Sequence, residues 1–165
     1  MAEELNESIS LDAIDWRLLD LLQADASLTN HALAQAAHVS PATALRRVKR
    51  LRDAGVIERF TALLAPRFAE RGLSAVCEIT LDRQGDEHQA AFEQRAVADA
   101  AVQQCWRVSP GPDFVLIAWA ADMPAFHAFA QRLFTQDANV RNVKSYFALK
   151  RAKFDPRVEA VEPPR

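Results

Sequence analysis

Apolar residues return along this chain in two rhythms. Over the first third they recur every three or four positions: Leu11, Ile14, Leu18 and Leu21/Leu22, then Leu33 among alanines, then Ala44, Leu45, Val48 and Leu51. That spacing predicts helices that each bury one stripe. From residue 75 the period falls to two. Ala75, Cys77, Ile79 and Leu81 alternate with other residues, as do Val102, Trp106 and Val108, which predicts strands with one apolar face.

Cap and turn residues mark the ends of these elements. Asp12 with Asp15 suits the start of a first helix, Thr29 that of a second helix to about Ala37, and Ser40-Pro41 that of a third. Only His38 and Val39 separate the last two, so the pattern is helix, tight turn, helix. Gly55 suits a left-handed cap. Val56 to Leu63 reads as a strand, the wing of a winged helix-turn-helix, and Pro66 to Gly72 as a hinge. Beyond it come a strand at 75–81, a helix at about 87–100, a strand at 102–108 and a Ser109-Pro110-Gly111-Pro112 turn. A strand at 113–121, a helix at 124–136 and a strand at 140–149 complete the chain. The fold class is therefore α+β: an N-terminal winged helix-turn-helix (1–63), a hinge (64–74), a ferredoxin-like β-α-β-β-α-β domain (75–153) and a C-terminal tail (154–165).

Phe114-Val115-Leu116-Ile117-Ala118-Trp119-Ala120 is apolar at both parities, so both faces of that strand need cover. Two helices cover only one face of such a sheet. A second copy of the chain is the simplest cover for the other, which predicts a homodimer.

Charge adds a second layer. The 165-residue chain has a net charge of -2, unevenly spread. Residues 1–29 hold seven acids and one base, residues 30–60 six bases and two acids, and the remainder thirteen of each. Five cations (Arg46, Arg47, Lys49, Arg50, Arg52) fall in the seven residues 46–52 of the third helix. At 100° per residue, Ala44, Leu45, Val48 and Leu51 face one way, Thr43, Arg46 and Arg50 roughly the other, with Arg47 and Lys49 on the flanks. A short helix with one side in a core and an Arg/Thr face outward fits a DNA major groove. The two cysteines, Cys77 and Cys105, and four histidines show no metal spacing. No signal peptide or membrane-length apolar run is present, so the expected compartment is a reducing cytoplasm, at the nucleoid.

Taken in order, Leu11-Asp12-x-x-Asp15, Leu33-Ala34, Val39-Ser40-Pro41, Arg47-Val48-x-Arg50-Leu51-x-x-x-Gly55-x-Ile57, Val108-Ser109, Asp113-Phe114, Asp122-Met123, Val140, Ser145-x-Phe147 and Lys153 resemble the Lrp/AsnC (feast–famine) transcriptional regulators. The resemblance covers residues 11–153. It implies a C-terminal domain that dimerises, often onward to tetramers or octamers, and a small effector, usually an amino acid, bound between dimers. It places the DNA-reading helix on Pro41 to Asp53, with Ser40, Pro41, Thr43, Arg46, Arg47, Lys49 and Arg50 at double-stranded DNA. Arg46 and Arg50 would reach guanine edges or phosphates, and Arg47 and Lys49 the backbone. The effector loop falls on Ser109, Gly111, Asp113 and Phe114, with Ser145 as a hydroxyl on the last strand. Two departures stand out. His38 replaces the glycine usual in the turn, and Pro110-Gly111-Pro112 stiffens the loop and removes two amide donors.

Two other functions compete. A non-catalytic DNA-organising protein without effector would share the basic helix. An enzyme built on the plait lacks any Ser/His/Asp or Cys/His set or phosphate loop, so no catalytic residue, cofactor or metal is expected.

Overall fold

The structure, a computed structural model, describes residues 9–65, 68 and 71–158. The polar start, part of the expected hinge (66–67, 69–70) and the tail from 159 lie outside the described residues. The chain forms two compact units, Met1–Leu63 with Phe154–Arg165, and Leu64–Lys153.

Three helices make the first unit: α1 (Ala13–Ala24), α2 (Asn30–Ala36) and α3 (Pro41–Asp53). Each starts on its expected cap. The Asp12 carboxylate accepts the Ile14 and Asp15 N–H groups while Asp15 accepts the Asp12 N–H, a reciprocal capping box. Thr29 Oγ1 accepts from Ala32, and Ser40 Oγ from Thr43. Leu18, Leu33, Ala34, Ala37 and Ala44 form the core, with Ile14, Leu22, Val39 and Val48 packed on it. Leu45 departs from expectation, being 61% exposed. It lies one residue, and so about 100°, past Ala44, outside the stripe of Ala44, Val48 and Leu51 that the other helices cover.

His38 takes the left-handed backbone of the turn (φ 57°), and Gly55 ends α3 at φ 71° with Val56 N–H returning to the Leu51 carbonyl. The expected strand over Val56 to Leu63 is not formed. A strand needs a partner, and the four described strands all belong to the second unit. The segment instead lines an apolar groove of about 1020 Å³ with Trp16, Leu19 and Leu22 of α1 and with Pro156–Val158 of the tail. The Gln23 amide holds that tail by two bonds to the Val158 backbone, 3.0 and 2.9 Å.

The second unit runs β1 (Leu73–Leu81), α4 (Asp86–Ala98), β2 (Val102–Arg107), β3 (Phe114–Ala120), α5 (Met123–Ala130) and β4 (Val140–Phe147). A π-helical turn, Gln131–Thr135, prolongs α5. The sheet is antiparallel in the order β2-β3-β1-β4, the β-α-β-β-α-β plait. Ala75, Cys77, Ile79 and Leu81 of β1 and Phe114, Leu116, Ala118 and Ala120 of β3 are buried together with Phe92, Ala96, Phe126, Phe129, Leu133 and Phe134 of the helices. Among the described residues of this unit, no helix packs on the other face. Register places Trp106, Val115, Glu78 and Lys144 in one row across that face and Gln104, Ile117, Val76 and Tyr146 in the next.

Candidate nucleic-acid interface

The turn before α3 is fastened from three sides. Arg17 Nη1 donates to the Ala37 carbonyl (3.1 Å), Asn30 Nδ2 to the Pro41 carbonyl (2.9 Å), and Val39 N–H to the Ala34 carbonyl (2.9 Å). Ser40 and Thr43 also share a hydroxyl–hydroxyl bond of 2.9 Å. These bonds fix α3 as a rigid element with one side on α1 and α2 and the other in solvent.

On that helix the five cations differ sharply. Among the described residues Arg46 makes no hydrogen bond or ion pair, and it stands opposite the Ala44–Val48–Leu51 stripe, at the centre of the exposed face. Lys49 is also exposed, in a surface pair with Asp53 of the kind that adds little stability. Arg52 lies over the Phe60 ring at 5.7 Å. Arg47 and Arg50 turn toward α1. Arg47 Nη1 meets Asp12 Oδ2 at 2.8 Å and Asp15 Oδ1 at 2.9 Å, while Arg50 Nη2 meets Asp15 Oδ2 at 2.5 Å. The two carboxylates, Asp15 first and then Asp12, hold the Arg47 guanidinium still more firmly protonated. The Asp15 N–H, followed by Arg47, keeps the Asp12 carboxyl below its ordinary 3.8.

The α1 acids appear in the sequence only as a cap. One signal pointed further: Leu11, Asp15, Leu18 and Leu22 share a helical face, and an acid in a core stripe requires a cation. Leu45 and Ala42, exposed beside Arg46, are further surface residues of the helix that charge patterning passes over.

The expected effector residues are spread apart. Asp113 Oδ2 accepts the Leu81 N–H (2.7 Å) and Gln84 Nε2 (3.3 Å), and the Asp113 N–H donates to the Ile79 carbonyl (2.8 Å), so the carboxylate closes the end of β1. Phe114 is wholly buried, its ring centroid 4.9 Å from that of Phe92. Its ring belongs to the core and offers no surface to a ligand. Gly111 adopts φ 126°, as a Pro-Gly turn requires, and the Ser109–Pro110 peptide is cis. Ser145 lies on the helix-covered face, 3.6 Å from Cys77 Sγ, and lines a cavity of about 290 Å³ with Phe134, Thr135 and Val143. None of Ser109, Gly111, Asp113 or Phe114 reaches that cavity. Among the described residues no group of three His, Cys, Asp or Glu is placed to hold a metal, and no helix is long and apolar enough to cross a membrane.

A helix-turn-helix with a free cationic face, joined to an α+β plait, defines a two-unit DNA-binding protein. Comparison with known proteins narrows the class. Residues 11–58 match the winged helix-turn-helix DNA-binding model and residues 74–158 the Lrp/AsnC ligand binding domain. The leucine-responsive regulatory protein of Rhizobium meliloti is 34% identical over 92% of this chain and 97% of its own length. The DNA-binding transcriptional activator DecR of Escherichia coli is 32% identical over 87% of this chain and 95% of its own. A transcriptional regulator of Neisseria meningitidis, solved in complex with L-Met, superposes with a TM-score of 0.79 at 30% identity, over 90% of this chain and 96% of that one. The chain belongs to the Lrp/AsnC family and is a DNA-binding transcriptional regulator with a ligand-binding domain.

Proposed function

We propose that this regulator reads two-fold DNA sites as a homodimer or higher oligomer, using the α3 face around Arg46, and that an amino acid sets its affinity. The observation that carries the reading is the free Arg46 at the centre of an exposed helix face that also presents Ser40, Pro41, Thr43, Lys49 and the outer edge of Arg50. Arginine at such a place can bond a guanine edge bidentately, and exposed Leu45 offers an apolar contact to a thymine methyl. Arg46→Ala should weaken binding to a duplex selected by the parent protein by about 1–3 kcal/mol while leaving the melting temperature unchanged. Equal binding by variant and parent in a titration would reject this face.

The open sheet face supports pairing of copies: Trp106 is 57% and Tyr146 51% exposed there, around a centre of Val76, Val115 and Ile117. The relative bound to L-Met supports an amino-acid effector. Because Asp113 and the Ser109–Pro112 loop lie outside the cavity that Ser145 lines, we infer that a single ligand contacted by both bridges two copies. A thermal-shift screen of the twenty amino acids tests this, since a ligand of the folded state raises its melting temperature. No shift with any of them would set the effector reading aside.

A further inference from the structure

We propose that Arg47 is a positioning residue and not a DNA contact: with Asp12 and Asp15 it locks the angle of α3 against the start of α1, and so aims Arg46. The inference rests on the reading of α3 as the DNA helix. Three observations carry it. First, a single nitrogen, Arg47 Nη1, bonds Asp12 Oδ1 and Oδ2 at 2.8 Å each and Asp15 Oδ1 at 2.9 Å. Second, the Arg47 side chain is only 18% exposed, and its Nε is buried without a partner among the described residues. The neck of the guanidinium is enclosed, so reaching a phosphate would require opening the packing between α1 and α3. Third, Asp15 is 1% exposed. Were Arg47 to leave for DNA, that buried carboxylate would lose one of its two cations and keep the half-exposed Arg50 and the Asp12 N–H, and weakening the compensation of a buried charge is unfavourable.

The bracket also has a geometric consequence. Asp12 and Asp15 are the two halves of the α1 capping box, so the same carboxylates that start α1 grip the middle of α3. Asp12, Asp15, Arg47 and Arg50 together carry no net charge. The helix therefore offers fewer cations to phosphate than its sequence suggests.

The experiment measures binding of the full-length protein to a duplex enriched from a random pool by the unaltered protein, and to random duplex, across a salt series. For Arg47→Met the slope of log affinity against log salt should stay at the parent value, while the preference for the enriched duplex falls roughly tenfold, as for a misread base pair. A slope shallower by about 0.9 would identify a phosphate contact and overturn the proposal. An unchanged preference would also overturn it, leaving Arg47 a role in stability alone. Asp12→Asn serves where Arg47→Met fails to fold, because asparagine is as good a cap as aspartate. It should lower the preference at an unchanged slope, and a slope steeper by about 0.9 would show released Arg47 reaching phosphate and overturn the proposal. Arg46→Met is the control: if it too changes neither quantity, the assignment of α3 to DNA has failed, independently of the bracket.

Discussion

At Asp15 a charge stands where the helical period calls for an apolar side chain, and two arginines from another helix converge on it. Removing one member of a buried ion pair costs about 3–5 kcal/mol. Arg50 is half exposed and Arg47 keeps Asp12, so Asp15→Ala should destabilise the first unit by a smaller amount, about 2 kcal/mol, read from the urea midpoint. Acid should act on the neighbouring residue. The Asp12 carboxyl is held below its ordinary 3.8 by the Asp15 N–H and Arg47, and in the second unit Asp99 is held below the same value, chiefly by Arg132. A carboxyl depressed in the folded state stabilises it at every pH above the unfolded value, and that advantage is lost as pH falls through the lower, folded value. Stability should therefore decline below about pH 4. In Asp12→Asn the decline in the first unit's urea midpoint should be shallower, and an unchanged pH profile would show that the bracket contributes nothing to acid stability.

Among the elements, β1 depends on a close approach at its start. A Cβ on Gly72 would stand 2.4 Å from the Ala120 carbonyl oxygen and 2.6 Å from the Trp119 ring, at the end of the β1–β3 pairing where Leu73 meets Ala120. Backbone cannot yield as a flexible side chain can, so Gly72→Ala should cost about 1–3 kcal/mol by overpacking. Amide exchange at Leu73–Ala75 should quicken in that variant more than at the β4 end of the sheet. The segment 56–63 teaches a different lesson. Its apolar residues, Val56, Ile57, Phe60, Ala62 and Leu63, come without the strict alternation of β1, and among the described residues it pairs with no strand. Periodicity describes the faces that a segment presents, whereas strand formation depends on a second backbone.

For the whole molecule, the open face of the sheet sets the prediction. Ile117 lies near its middle, between Val76 and Gln104. If two copies close there, Ile117→Glu buries an unpaired carboxylate at the interface and should convert the oligomer to monomer in light scattering, with little loss of secondary structure. A monodisperse monomer for the parent at micromolar concentration would remove the pairing from the account. A dimer carries two copies of α3, and two-fold operators present two matching half-sites.

Much of this was legible in the residues alone. Local chemistry determines helix starts at Asp12, Thr29 and Ser40, the left-handed backbone at His38 and Gly55, and the order of the plait, because caps, turns and periodicity act within a few residues of chain. The ordered motifs likewise determine the family. Tertiary structure alone decided which of five neighbouring cations remain free. Arg46 and Arg47 are adjacent and chemically identical, but one faces solvent and the other faces two carboxylates more than thirty residues away in sequence. It likewise turned Asp113 toward the end of β1, buried Phe114 and separated both from Ser145. An ionic partner is chosen by distance in space, and in this protein the helix packing that sets those distances is what divides a run of like charges into a grip and a reading face.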